Sequence, residues 1–200
     1  MPQAETMPDD ALRYPIGRFQ PLGPLPPKRR AELVEALAAL PGQVRALVAP
    51  QAAPLTEAQL ATPYRPQGWT LRQVVHHLPD SHLNAYVRMK LALTEDHPTI
   101  KPFDESLWAE LPDVAATPVA ASLDLLEALH LRWTALLRHL PPSAFARGLT
   151  HPEVGPMTLD DVLALYAWHG RHHLAHLQNA LQTAAVSRAP GSASAPPRSG

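Results

Sequence analysis

The sequence from 168 to 176 is Trp168-His169-Gly170-Arg171-His172-His173-Leu174-Ala175-His176, and it holds four of the chain's 11 histidines. An α-helix turns by about 100° per residue, so histidines at i, i+3, i+4 and i+7 share one face of it. Soluble helices normally present leucine or valine to the core at this spacing. A buried imidazole must be hydrogen-bonded or bound to something. The stretch therefore predicts a helix with a metal-binding face.

The composition indicates one globular domain with a near-neutral charge. The 200 residues carry a formal net charge of −1, so no basic excess points to nucleic acid or to a membrane surface. Because the sequence has no cysteine, any metal must bind nitrogen and oxygen ligands. No secretory signal and no apolar run of the roughly 20 residues that a membrane-spanning helix needs is visible. We therefore expect a soluble, cytoplasmic protein.

Apolar periodicity and capping residues predict four long helices and no β-strand. The helices are expected to begin near Pro27, Thr70, Thr117-Pro118 and Thr158, and the last to end near Leu181. Gln73 and Asp161 complete the side-chain caps of the second and fourth helices. We therefore expect an all-α four-helix bundle over 13–182 with long inter-helix connections, a flexible N-terminal tail over 1–12 and a disordered C-terminal tail over 183–200.

Two prolines fall inside the predicted helices. Pro41, followed by Gly42, should break or kink the first helix. Pro79 removes one backbone hydrogen bond from the second helix. We expect that helix to bend near Val75 without breaking, because its apolar stripe continues on both sides.

A metal site in a bundle is built from facing helices, and the pair His169 and His173 needs a third ligand from another helix. The second helix offers three histidines. His77 lies at one flank of its apolar stripe, His82 lies near the middle, and His76 points toward solvent. The residues alone favour His77 as the third ligand, with His82 second.

Spacing alone does not assign single roles to the other polar and aromatic residues. His172 and His176 could be further ligands, hydrogen-bond partners of the ligands or packed rings. Asp80, one turn beyond His77, could accept a hydrogen bond from a ligand. An ordinary solvated or hydrogen-bonded side chain is expected for His76, His97, His130, His139 and His151. Core positions, rather than pocket positions, are expected for Trp133, Tyr166 and Trp168.

Several motifs along the chain form a specific pattern. They are Tyr14-Pro15-Ile16-Gly17, Gly68-Trp69-Thr70-Leu71-Arg72-Gln73-Val74-Val75-His76-His77-Leu78, Asp80-Ser81-His82, and Trp168-His169 followed by His172-His173. From about 14 to 182 the sequence resembles the YfiT branch of the DinB-like superfamily, and it departs from that pattern at Pro79 and Gly170-Arg171. The resemblance implies a four-helix bundle in which His77, His169 and His173 hold one divalent metal ion per subunit. Zinc is favoured, and nickel or iron is possible.

The resemblance also implies a homodimeric enzyme acting on a small molecule. The activity would be metal-dependent hydrolysis or the transfer of a low-molecular-weight thiol such as bacillithiol to an electrophile. Three protein ligands leave an open coordination position, where a metal can activate either water or a thiol. Because no His-Glu-x-x-His motif supplies an adjacent base, S-transfer is preferred over hydrolysis. Asp80, Arg88 and Glu95 are candidate catalytic residues, although no spacing assigns their roles. A non-catalytic metal-binding stress protein and a structural protein with incidental histidines are the further alternatives.

Overall fold

The computed structural model describes residues 8–50 and 54–188. The elements, in chain order, are α1 (Pro8–Arg13), α2 (Pro27–Val48), α3 (Glu57–Leu60), α4 (Leu71–Thr94), α5 (Glu105–Trp108), α6 (Pro112–Ala116), α7 (Val119–His139), the 3₁₀ helix Pro142–Ala146, strands β1 (Gly148–His151) and β2 (Gly155–Thr158), and α8 (Leu159–Arg188).

The four long helices α2, α4, α7 and α8 form a bundle. Helix α2 packs against α7 and α8, and α4 packs against the same two helices. Apolar side chains fill the interior in two clusters, one around Met89 and Trp133 and the other around Val44 and Leu78. Within 8–50 and 54–188, no helix combines the length and the apolar character that crossing a membrane requires. The prediction of a four-helix bundle is confirmed.

The predicted caps of two long helices are present. Thr70 accepts a hydrogen bond from the backbone N–H of Gln73, whose side chain accepts one from the backbone N–H of Thr70 at 2.9 Å. Asp161 accepts from the backbone N–H of Thr158 at 2.8 Å in the same way at the start of α8. Both pairs satisfy backbone donors that have no partner inside the helix. Helix α7 begins one residue later than predicted, with Pro118 as its cap.

Helix α2 continues through Pro41 and Gly42, so it does not break there, and the alternative of a kink stays a prediction. A proline leaves the carbonyl four residues earlier without its helical donor. Here that carbonyl belongs to Leu37, and the Nδ1 of His130 from α7 lies 2.6 Å from it. A donor from another helix thus replaces the missing backbone hydrogen bond. Helix α4 likewise continues through Pro79, and its bend near Val75 remains a prediction.

A short hairpin corrects the prediction that the chain contains no strand. Strands β1 and β2 pair antiparallel, with Leu149 opposite Met157. Each strand has four residues, which is too short for an apolar alternation to be recognised in the sequence. Gly155, at φ 92°, allows the tight reversal between the strands.

Helices extend into both segments that are predicted to be tails. Helix α1 begins at Pro8, inside the segment expected to be flexible. Proline suits a first helical turn, and Asp10 of this helix pairs with Arg18 at 2.7 Å. At the other end, α8 continues to Arg188, beyond the predicted end near Leu181. The predicted tail residues 1–7 and 189–200 lie outside the described residues.

Candidate metal centre

The structure brings His77, His169 and His173 together between α4 and α8. One ring nitrogen from each lies within 4.8 Å of those from the other two, and the Nε2 atoms of His77 and His169 are 3.2 Å apart. Two imidazoles bound to one tetrahedral zinc ion at 2.0–2.1 Å would have nitrogens about 3.3 Å apart. The spacing therefore fits a single metal ion, and the assignment of these residues as ligands stays a prediction.

The environment keeps these three rings neutral. Burial lowers the pKa of His77 to about 4. Burial, together with the neighbouring histidines, lowers the pKa of His169 and of His173 well below the ordinary value. Neutral imidazole is the form that binds a metal, because its free nitrogen offers a lone pair. The three rings are thus in the state that ligation requires.

His82, the second candidate for the third ligand, lies behind the three histidines. Its side chain is fully buried. The Nε2 of His82 is 3.1 Å from the Nδ1 of His169, and its Nδ1 is 2.9 Å from the Nε2 of His130. Both of its ring nitrogens therefore have histidine partners. His130, for which the sequence predicts an ordinary solvated or hydrogen-bonded side chain, links His82 to α2.

A second group of histidines lies further along α8. His172, His173 and His176 also bring one ring nitrogen each within 4.8 Å of the others. The Nδ1 of His176 is 3.4 Å from the Nδ1 of His173, and its Nε2 is 3.1 Å from the carbonyl oxygen of Arg13. The ring of Tyr64 stacks on His176 with centroids 3.9 Å apart. His176 is therefore held by the N-terminal segment as well as by α8.

His76 does not point toward solvent, in contrast to the prediction. Its side chain is buried, and its Nδ1 lies 2.7 Å from the hydroxyl of Ser122 on α7. The prediction failed because α7 packs along this side of α4. His76 is not among the residues that converge on the candidate site.

A cavity of about 590 Å³ opens onto the three histidines. Its lining includes aromatic side chains from separate parts of the chain, namely Tyr14, Tyr64, Trp69, Phe103, Tyr166 and Trp168. Trp69 packs against His77 with ring centroids 4.7 Å apart. Trp168 lines the cavity and not the core, which corrects its assignment, whereas Tyr166 belongs to the core, as predicted, and also reaches the cavity. Trp133 lies in the core, as predicted.

The structure separates the three candidate catalytic residues. Arg88 lines the cavity, whereas Asp80 and Glu95 do not. Burial raises the pKa of Asp80 to about 6, and nearby Asp113 acts in the same direction. Glu95 is the cap residue at the C-terminal end of α4. Neither carboxylate belongs to the lining of the cavity, and their catalytic roles stay predictions.

Sequence reasoning missed the contribution of the hairpin and of the first segment. His151 and Glu153 bring polar groups from the hairpin to the cavity, and Arg13 and Tyr14 come from the end of α1. The sequence predicts only an ordinary solvated or hydrogen-bonded side chain for His151. The only signal for Tyr14 and for Trp69 was their place in the motifs that carry the family resemblance.

Comparisons with known proteins agree with this architecture. The sequence profile of the DinB superfamily matches residues 42–177. A Bacillus subtilis protein named "Putative metal-dependent hydrolase YfiT" is 46% identical over 167 residues, which cover 83% of this chain and 92% of the relative. A similarly named protein of Oceanobacillus iheyensis is 48% identical over 165 residues, covering 82% and 93% of the two chains.

One solved structure is similar over most of the molecule. It is YfiT from Bacillus subtilis, described as "a probable metal-dependent hydrolase with an unusual four-helix bundle topology". The similarity has a TM-score of 0.83 at 43% sequence identity and covers 88% of this chain and 98% of that one. The two proteins therefore share a fold along nearly their whole length.

Proposed function

The chain belongs to the DinB superfamily, and from that premise we propose that it is a metal-dependent enzyme. His77, His169 and His173 hold one divalent ion, with zinc favoured, and the enzyme transfers a small thiol to an electrophilic carbon. The relatives named above are described as metal-dependent hydrolases, and hydrolysis is the second candidate.

One observation carries the preference for S-transfer. Among the described residues, no carboxylate forms a hydrogen bond with His77, His169 or His173, and the acidic residues that line the cavity are Glu105 and Glu153. A hydrolase normally pairs the water at its metal with a positioned base. A thiol needs less help, because coordination itself removes its proton. The site thus suits a nucleophile that the metal alone can activate.

The side chains of the cavity have separate tasks in this proposal. A divalent ion supplies Lewis acidity and an open coordination position. Arg88 lines the cavity, and its guanidinium is a cation that can bind an anionic group of the substrate. Burial raises the pKa of Tyr166, which keeps its hydroxyl protonated and able to donate. Trp69 covers one side of His77 and excludes water from it.

Hydrolysis is favoured by a different observation. The names of the relatives describe that activity, and Glu105 reaches the cavity close enough to Tyr166 to influence its pKa. A carboxylate there could act through a bound water molecule on a substrate in the cavity. The two candidates therefore differ in whether turnover requires a thiol.

The test is a conjugation assay with zinc-loaded protein, bacillithiol and a haloalkane. In the expected reaction a carbon–sulfur bond forms, the carbon–halogen bond breaks, halide leaves and the thiol proton goes to solvent. Mass spectrometry should detect conjugate above the uncatalysed background. His173→Ala should abolish the enzymatic part, and His76→Ala should retain it. Cleavage of an ester without thiol, and no conjugate from any thiol tried, would establish the hydrolase instead.

A further inference from the structure

We propose that two hydrogen-bonded chains of histidines hold the metal ligands His169 and His173 in one orientation and one tautomer. One chain runs through His82 and His130, and the other runs through His176. The inference rests on the metal site proposed above. It assigns positioning roles to three histidines that do not themselves bind the metal.

The need for such chains follows from the chemistry of a histidine ligand. A neutral imidazole that binds a metal through one nitrogen carries a proton on the other, and this N–H requires an acceptor. Proteins usually supply a carboxylate, a main-chain carbonyl or water, and the acceptor fixes the orientation and tautomer of the ring. For His169 and His173 the acceptor is another histidine. The direction of each hydrogen bond then follows from the group at the end of the chain.

The first chain ends at the carbonyl of Leu37, which can only accept. The Nδ1 of His130 is 2.6 Å from this oxygen and must donate. Neutral His130 therefore accepts at Nε2, where the Nδ1 of His82 donates across 2.9 Å. By the same step, the Nε2 of His82 accepts from the Nδ1 of His169 across 3.1 Å. His169 keeps its lone pair on Nε2, the atom that faces the Nε2 of His77 at 3.2 Å.

The surroundings of this chain support its neutral form. Among the described residues, no carboxylate forms a hydrogen bond with His82 or His130. Burial lowers the pKa of His130 to about 4, and burial together with the neighbouring histidines lowers the pKa of His82 well below its ordinary value. The acceptor at the end of the chain is free because Pro41 has no N–H to offer to the carbonyl of Leu37. The proline inside α2 is thus part of the same arrangement.

The second chain is shorter and ends on the N-terminal segment. The carbonyl of Arg13 accepts from the Nε2 of His176 at 3.1 Å. Neutral His176 then accepts at Nδ1, which is 3.4 Å from the Nδ1 of His173. His173 keeps its lone pair on Nε2 for the metal. Stacking of Tyr64 on His176 at 3.9 Å between centroids holds the accepting ring in place.

A different use of the same residues makes the second chain testable. His172, His173 and His176 could together hold a second ion, and the Nδ1 of His172 is buried without a hydrogen-bond partner among the described residues. In that arrangement the Nδ1 of His176 could be a ligand and not an acceptor. The proposed chain through His176 therefore requires that the full-length protein binds one zinc ion per molecule. Two zinc ions per molecule would contradict the orientation of His173 by His176.

The first experiment compares zinc affinity by chelator competition. His82→Leu and His176→Phe each remove a hydrogen-bond acceptor and leave an apolar side chain in its place. Each substitution should weaken zinc binding about 10- to 100-fold. His82→Gln should restore most of the affinity, because its amide oxygen can accept where the ring Nε2 did. The control His76→Leu removes a buried histidine outside both chains and should bind zinc as the unaltered protein does. Cobalt(II) spectra should change in His82→Leu but not in His76→Leu.

The second experiment needs no substitution, so misfolding cannot obscure it. Long-range ¹H–¹⁵N spectra of zinc-loaded protein should show the proton on Nδ1 of His82, His130, His169 and His173, and on Nε2 of His176. The Nε2–H tautomer at His82, or zinc affinity of His82→Leu within twofold of the unaltered protein, would overturn the proposal. Tight zinc binding without any turnover would refute the proposed function and leave this inference standing.

Discussion

Burial alone does not assign a histidine of this protein to a metal. Seven histidines are at least nine-tenths buried, namely His76, His77, His82, His130, His172, His173 and His176. Each of these rings has a pKa lowered chiefly by burial. The difference between them lies in the partner of each ring nitrogen. His76 forms a hydrogen bond with Ser122, whereas the Nε2 of His77 faces the Nε2 of His169, and only the second arrangement fits the proposed cation.

The ligand assignment predicts a specific pattern in single substitutions. His77→Ala, His169→Ala and His173→Ala should each weaken zinc binding by at least about 100-fold, which exceeds the loss typical of an outer hydrogen-bond partner. The reason is that a two-histidine site leaves the ion with too few protein ligands. Metal content after dialysis and chelator competition measure the effect.

The matched control for this series is His76→Ala, which removes a buried histidine one position from a ligand. It should keep full metal content even if the folded state becomes less stable. Unchanged zinc content in His169→Ala would contradict the assignment of the site.

At the scale of elements, local sequence signals predicted the helices well. The caps at Thr70 and Thr158 identified two helix starts, because a cap is formed by residues three positions apart. The continuity of α2 through Pro41 could not be predicted in this way. It depends on His130, which is 93 residues from the Leu37 carbonyl that it satisfies. The hairpin was missed for a related reason, since its four-residue strands are defined by their pairing and not by a pattern of their own.

The contact between the N-terminal ends of α2 and α8 is held by a buried ion pair. Arg30 donates to both oxygens of Asp160 at 2.8 Å, and the backbone N–H of Leu25 donates to the same carboxylate at 3.0 Å. Asp160→Ala should reduce the free energy of unfolding by roughly 3–5 kcal/mol, because it leaves a buried guanidinium without a counterion. Urea denaturation at neutral pH measures the change.

A double substitution separates the charge from the packing in this contact. Arg30→Met combined with Asp160→Ala removes both charges and should cost less than the sum of the two single changes, because no unpaired charge remains. Additive losses would show that Arg30 and Asp160 stabilise the molecule independently of each other.

At the scale of the whole molecule, the candidate site combines segments that the sequence does not relate. The ligand pair on α8 followed from helical spacing, and His77 followed from its position on the flank of α4. The acceptor for His176 comes from Arg13, 163 residues away, and no local pattern could indicate it. The cavity wall formed by the hairpin likewise depends on tertiary packing. What could be predicted was therefore the three histidines that the structure brings together, and what could not was the set of residues that contact them.

The large number of buried neutral histidines makes the metal-free protein sensitive to acid. Burial lowers the pKa of His77, His130, His172 and His176 to about 4 each, whereas unfolded histidine titrates near 6.5. Between these two values the unfolded chain binds more protons than the folded one. The free energy of unfolding is therefore highest above about pH 6.5 and falls as the pH decreases toward 4.

The number and size of the pKa shifts decide which residues dominate the pH dependence of the free energy of unfolding. One histidine with such a shift contributes about 3 kcal/mol over the full interval, or roughly 1 kcal/mol per pH unit near pH 5. Asp80 acts in the opposite direction, because burial raises its pKa to about 6 and acid then favours the folded state. It is a single half-buried carboxyl against several buried histidines, so the histidines should prevail. Metal-free protein should therefore lose most of its free energy of unfolding as the pH is lowered from about 6.5 to about 4.

Urea denaturation of metal-free protein between pH 7.5 and pH 5 tests this prediction. His130→Leu is the informative variant. Its free energy of unfolding should change with pH by about 1 kcal/mol per pH unit less than that of the unaltered protein, although the variant is less stable at every pH. The change in slope isolates the titration of this ring from the loss of its hydrogen bonds to His82 and to Leu37, which lowers stability at every pH alike. A free energy of unfolding that stays constant from pH 7.5 to pH 5 would mean that the buried rings are not kept neutral in the folded state.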